Sequence, residues 1–135
     1  MADHPFQYAA KFLCTSNIPG TSQTTTSLLP GSYQTVVNIH NPNSTTVRFR
    51  MKLALASLEN PQISNFIDGG LKPDQAAKVD CSDLRKFELQ LIHGFEGFLV
   101  IESTHSLDVV AVYTAGTKEG VTSMDVERVF ERYLT

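Results

Sequence analysis

The sequence predicts an all-β fold: a single antiparallel β-sandwich, jelly-roll or immunoglobulin-like, of about seven or eight strands with at most one short helix. Three observations predict it. Apolar and polar residues alternate with a period of two in runs bounded by Gly, Pro, Asn and Ser, the pattern of half-buried strands. Those runs recur at near-regular spacing, as strands of a sandwich do. No segment carries a long helical periodicity.

The first strand signal surrounds Phe12, Leu13 and Cys14. Residues 15–30 then read TSNIPGTSQTTTSLLP, where Ser, Thr, Gly and Pro favour an irregular connection over a packed element. A connection this long in a compact domain is a candidate for binding or subunit contact, and its simpler reading is a solvated surface loop. In residues 32–40, Tyr33, Thr35, Val37 and Ile39 point one way while Gln34, Val36, Asn38 and His40 point the other. Asn41-Pro42-Asn43-Ser44 supplies turn chemistry, because Asn tolerates unusual φ and Pro cannot continue a ladder. In residues 45–56, Val47, Phe49, Met51, Leu53 and Leu55 alternate with Arg48, Arg50, Lys52, Ala54 and Ala56. Two alternating runs flanking one turn cluster read as a hairpin.

A weaker apolar stretch, 63–67, lies between the breakers Asn60-Pro61 and Gly69-Gly70. Leu71-Lys72-Pro73-Asp74 reads as a turn into a strand at 75–79. Ser82 is placed to cap one or two helical turns through Leu84, Phe87 and Leu91, a spacing that fits one helical face. The C-terminal third is the most apolar part, with Phe95 and strands at 98–101, 107–113 and 123–130, the last marked by Met124, Val126 and Val129. The strands at 98–101 and 107–113 offer apolar side chains on both faces. The outer face of an antiparallel sandwich is normally wet, so a two-faced apolar strand implies a cover.

Length and composition bound the rest. A chain of 135 residues and 14.9 kDa buries roughly two-thirds of its unfolded surface, enough for one core and too little for two. The expected organisation is one domain over 1–135, with a Ser/Thr-rich loop at 15–30 and a short charged tail at 131–135. With 41% hydrophobic residues, 19% charged residues and a net charge of −3, the chain has neither a disordered composition nor the basic field of a nucleic-acid binder. No apolar run reaches the roughly 18 residues that span a bilayer, and Met1-Ala2-Asp3-His4-Pro5 lacks the basic and apolar regions of a secretory signal. A cytoplasmic protein without membrane insertion is expected. Cys14 and Cys81 are then expected as free, buried thiols, since cytosolic cysteines stay reduced and these two lack the spacing of zinc ligands.

Catalytic patterns are thin. His4, His40, His93 and His105 are too far apart for a short metal motif, and no metal or cofactor is expected. There is no G-x-S-x-G and no Gly-rich phosphate loop. Cys81 stands between Asp80 and Asp83, whose charge disfavours a thiolate nucleophile. Glu96, Glu102, Asp108, Asp125 and Glu127 are available for paired-carboxylate chemistry, but carboxylates on the wet face of strands are ordinarily only solvated. Arg48, Arg50 and Lys52 share one strand face. Their simplest use is charge pairing with Glu102, Asp125 and Glu127 across strands or subunits; an acidic-ligand site is the sharper alternative.

Several runs in this order also carry a resemblance: Tyr33-Gln34-Thr35-Val36-Val37-Asn38-Ile39-His40-Asn41, Val47-Arg48-Phe49-Arg50, Leu71-Lys72-Pro73, Val79-Asp80-Cys81 and Phe98-Leu99-Val100-Ile101-Glu102-Ser103. To these are added Leu107-Asp108-Val109-Val110-Ala111-Val112-Tyr113-Thr114 and Met124-Asp125-Val126-Glu127-Arg128-Val129. Over about residues 30–130 the layout resembles a set of small uncharacterised bacterial proteins. More distantly, it is similar to the soluble transducer that partners cyanobacterial sensory rhodopsin, a β-sandwich that assembles as a tetramer. The resemblance implies a self-associating sandwich without an enzyme site, and transfers no functional residue. The expectation is therefore a non-enzymatic homo-oligomer, of tetramer size by the resemblance, acting as an interaction, adaptor or scaffold protein toward an unidentified protein partner. Its expected subunit contacts are Phe98, Val100, Val110 and Val112, and its expected ligand or partner contacts are Tyr33, His40, Asn41, Arg48 and Arg50. The alternative is a small-ligand or carbohydrate-binding module built on the 15–30 loop and the loops at the sandwich end, although the chain has no tryptophan for sugar stacking.

Overall fold

The computed structural model describes residues 3–17, 28–89, 91 and 94–134. These form β1 (Phe6–Asn17), β2 (Gly31–His40), β3 (Val47–Leu55), β4 (Gln62–Ile63), β5 (Ile67–Leu71) and β6 (Ala76–Val79), then a 3₁₀ helix (Cys81–Phe87). β7 (Phe95–Ser103), β8 (Asp108–Thr117), β9 (Gly120–Arg128) and β10 (Arg132–Tyr133) follow. All pairings are antiparallel, and the fold is the predicted all-β sandwich with one short helix.

β1 joins the layers. From Phe6 to Cys14 it pairs with β7, and from Cys14 to Asn17 it turns to pair with residues 31–34 of β2. On the β7 side the order continues through β3, whose far edge carries β4 and β5. On the β2 side it continues through β8 to β9, while β6 takes the remaining edge of β2. Alternate residues of each strand face inward, as a pleat requires. Tyr8, Ala10 and Phe12, Phe49 and Leu53, Leu99 and Ile101 meet Val37 and Ile39, and Val109 and Ala111, in one core. The Phe12 and Phe95 rings pack edge to face at 6.1 Å between centroids. Each fully buried Val, Leu, Ile or Phe contributes about 1.5–3 kcal/mol relative to exposure.

The predicted strands at 32–40 and 45–56 exist as β2 and β3, but they do not form a hairpin. β2 pairs with β1, β6 and β8, while β3 pairs with β4, β5 and β7, so the turn residues at 41–44 carry the chain from one layer to the other. Asn41 fixes that crossing. It is fully buried, its Nδ2 donates to the carbonyls of Thr45 and Leu71 at 2.9 Å each, and its Oδ1 accepts from the backbone and side chain of Asn43.

Three smaller expectations change as well. Gly69-Gly70 does not break the chain but lies inside β5, where a Cβ at Gly69 would come within 2.6 Å of the Phe49 ring. Helix capping falls to Asp80 rather than Ser82: Asp80 accepts from the Ser82 amide, and the Asp83 carboxylate accepts from the Asp80 amide, each at 2.9 Å. The charged tail contributes β10, which pairs with the start of β1, where Tyr133 packs edge to face on Phe6.

The cysteines are also corrected. Cys14 and Cys81 form a disulfide across 67 residues of sequence, their Cα atoms 5.6 Å apart. The bridge ties the point where β1 changes partners to the first residue of the 3₁₀ helix. Residues 18–27 of the expected 15–30 loop lie outside the described residues, and residues 15–17 belong to β1.

Candidate interaction surfaces

The two outer faces of the sandwich differ. On the β3–β7–β1 layer, registered pairs set out three rows: Arg50, Glu102 and Gln7; Lys52, Val100 and Ala9; Ala54, Phe98 and Lys11. Glu102 is 6% exposed and accepts hydrogen bonds from Gln7 Nε2 at 2.9 Å and from Arg50 Nε and Nη2 at 3.1 and 2.8 Å. Burial alone would raise its pKa, but these bonds and the charges of Arg50 and Lys52 outweigh it, and the carboxyl sits below its ordinary value. Arg50 and Lys52 also stand over the Phe66 ring at 4.1 and 4.8 Å, and Lys11 stands over Phe98 at 5.4 Å while pairing with Glu96 at 3.4 Å. These cations shade the two rings in part, leaving Phe66 37% and Phe98 43% exposed.

The outer face of the β2–β8–β9 layer is different. Val112 lies between Val36 and Val126, Thr114 between Gln34 and Met124, and Val110 between Asn38 and Arg128. The apolar members make one stripe across three strands. At its outer end every residue of β9 is exposed: Val121 by 67%, Met124 by 66% and Val126 by 58%. Among the described residues β9 has a hydrogen-bonded neighbour on its β8 side alone, so its other edge presents unpaired backbone donors and acceptors.

Beneath the β8–β9 hairpin is a cleft of about 380 Å³, whose walls include Lys11, Leu13, Tyr33, Tyr113, Asp125 and Glu127. Tyr33 donates to the Leu29 carbonyl at 2.5 Å, and Tyr113 donates to Glu127 at 3.1 Å. Burial, the hydrogen bond to Glu127 and the nearby carboxylates push the Tyr113 phenol up to about 12. Lys11 turns its ammonium to Glu96, and no ion pair among the described residues reaches Asp125 or Glu127. Of the three carboxylates expected to pair with Arg48, Arg50 and Lys52, Glu102 alone does so, through Arg50; Asp125 and Glu127 stand on β9 at the far end of the strand order.

The expected contact residues are thus scattered. Phe98 and Val100 belong to one outer face and Val110 and Val112 to the other, and Val100 is only 9% exposed. Tyr33 lines the cleft under the hairpin, Arg50 is committed to Glu102, and Arg48 lies exposed beside β5. Asn41 is corrected from a contact residue to a buried structural one, because all its polar atoms are used inside the crossing. His40 Nδ1 donates to the Asp108 carboxylate at 2.8 Å, and its Nε2 lies 3.5 Å from the Asp74 carboxylate; the Asp108 hydrogen bond is the main cause of its raised pKa. His93 lies outside the described residues. Among the described residues no group of three or more His, Cys, Asp or Glu side chains is arranged to hold a metal ion, and no helix is long and apolar enough to cross a membrane.

Sequence reasoning missed the disulfide and the both-sided exposure of β9. The first has no local signal, because its partners are brought together by two layers. The second was partly visible in Val121, Met124 and Val126, but exposure depends on what lies opposite.

No protein-family model and no curated protein matches the chain. Among solved structures, it is similar in fold to the crystal structure of Thermotoga maritima 1070, with a TM-score of 0.62 over 100% of both chains and 10% sequence identity.

Proposed function

We propose that this protein is a non-enzymatic, self-associating β-sandwich that serves as an interaction, adaptor or scaffold protein. The observation that carries the reading is β9: nine consecutive residues exposed on both faces, with an edge unpaired among the described residues and an apolar stripe running from it to Val36. Large exposed apolar surface and an open strand edge are costly in a solitary soluble protein and ordinary in a subunit. Absolute mass from light scattering behind a sizing column tests it. A closed oligomer at a small multiple of 14.9 kDa is expected, and a monomer at all micromolar concentrations would overturn the reading.

The cleft beneath the hairpin favours a second reading, a small-ligand module using Tyr33 and Tyr113. A sugar and metabolite thermal-shift screen separates the two, since a ligand at 100 times its Kd stabilises by about 2.7 kcal/mol. Cytoplasmic placement belongs to the first reading and is in tension with the Cys14–Cys81 bridge, because disulfides persist mainly in oxidising compartments. Thiol trapping in intact cells decides it: reduced cysteines fit the cytoplasm, and a retained bridge fits an oxidising compartment.

A further inference from the structure

We infer that one copy docks head to tail on the next, the free edge of β9 lying against the free edge of β5 in a second copy of this chain. The inference rests on the self-association reading and names the two surfaces that meet. β9 ends the strand order and β5 lies beside β4 on the far edge of β3 at its other end, and among the described residues each is hydrogen-bonded on one side, to β8 and to β3. Each therefore offers what the other lacks, a second strand partner.

The charges at the two ends are opposite. Asp125 and Glu127 share one side of β9, and no ion pair among the described residues reaches either. At the other end a cleft of about 420 Å³ is lined by Arg48 and Lys72, with Asp68, Gly69 and Gly70 of β5, and neither cation has an ion pair among the described residues. Asp68 is the carboxylate in that cleft, so the two cations exceed it by one. Apolar groups match as well. Ile63, 68% exposed, precedes β5 on the same edge of β3, and Val121, Met124 and Val126 are exposed on β9. A Cβ at Gly70 would meet nothing closer than the Val47 carbonyl at 3.8 Å, so the outer side of β5 is open there to the approach of another chain. Contact between two different surfaces is heterologous, and it yields a closed ring where the rotation between copies closes.

Charge reversal tests the pairing without touching the core. One variant carries Asp125→Lys and Glu127→Lys; the other carries Arg48→Glu and Lys72→Glu. Each alone places like charges at every contact and is expected to fall from the wild-type mass to 14.9 kDa, with unchanged circular dichroism. An equimolar mixture restores opposite charges at both contacts of an alternating assembly, and recovery of the oligomer mass is expected. Two outcomes overturn the inference while self-association stands: both variants keep the wild-type mass, or both dissociate and the mixture stays at 14.9 kDa. A monomeric wild type removes the self-association reading and this inference together.

Discussion

Asn41 and Glu102 are polar side chains that the sandwich has taken out of water, and each is tolerated because its hydrogen bonds are made. Asn41→Ala leaves the carbonyl of Leu71 and the turn at Asn43 without their partner, at a cost of about 1–3 kcal/mol in urea unfolding. Asn41→Asp is expected to lose at least as much, because it keeps the shape and removes both donors. An Asp variant as stable as wild type would mean that shape, not donation, holds the crossing. Glu102 adds a pH signature. Its folded pKa lies below the unfolded one, so its stabilisation is present above the ordinary glutamate value of about 4.3 and is lost as pH falls through the folded value. Wild type should therefore melt higher than Glu102→Gln at neutral pH, with the two curves converging as the pH is lowered below about 4. His40 acts in the opposite sense. Its folded pKa is raised by Asp108, so its contribution is full below about pH 6.5 and disappears as pH rises through the folded value.

At the scale of elements, the disulfide has the largest expected effect. A bridge across 67 residues removes much of the freedom of the unfolded chain, worth about 4 kcal/mol by the loop-entropy rule. The double variant Cys14→Ala, Cys81→Ala should melt well below the oxidised wild type, and reductant should lower the wild type to meet it while leaving the variant unmoved. Equal melting temperatures for all three would show that β1 and the 3₁₀ helix hold together without the bridge. Gly94, with φ of 89°, lies beside it, and a Cβ there would come within 2.2 Å of the Cys14 carbonyl, so glycine is required where the chain enters β7.

For the whole molecule, the two outer faces differ in what stands over their apolar residues. The β3–β7–β1 face sets Arg50, Lys52 and Lys11 over its aromatic rings and leaves Phe98 43% exposed, whereas the β2–β8–β9 face leaves Val126 and Met124 58% and 66% exposed beside Val112. Val126→Asp sits on an exposed strand, where substitution costs a monomer within about 0.5 kcal/mol. A fall in oligomer mass with an unchanged fold is the expected result by light scattering. Val110→Asp and Val112→Asp reach further into the sheet and are expected to cost fold stability as well. If Val126→Asp leaves the mass of an oligomeric wild type untouched, the stripe is not part of the contact.

Alternation with period two is a local property written in neighbouring residues, and it made legible the all-β class, the strands β2, β3, β6, β7, β8 and β9 and the inward rows of β2 and β3, whereas β5 reads as a break at Gly69-Gly70 and β10 as a tail. Turn chemistry at 41–44 was equally legible, and so was the turn after Leu71, which itself closes β5. Which strands pair was not: β2 and β3 look like a hairpin from their neighbours, and the buried bonds of Asn41 to Leu71 and Thr45 send them to different layers. The Cys14–Cys81 bridge, the pairing of Glu102 with Arg50 and Gln7, and the placement of Asp125 and Glu127 on β9, far from Arg48, Arg50 and Lys52, are likewise products of the tertiary structure. Each depends on residues far apart in sequence meeting, or failing to meet, across strands, and no local pattern encodes that distance.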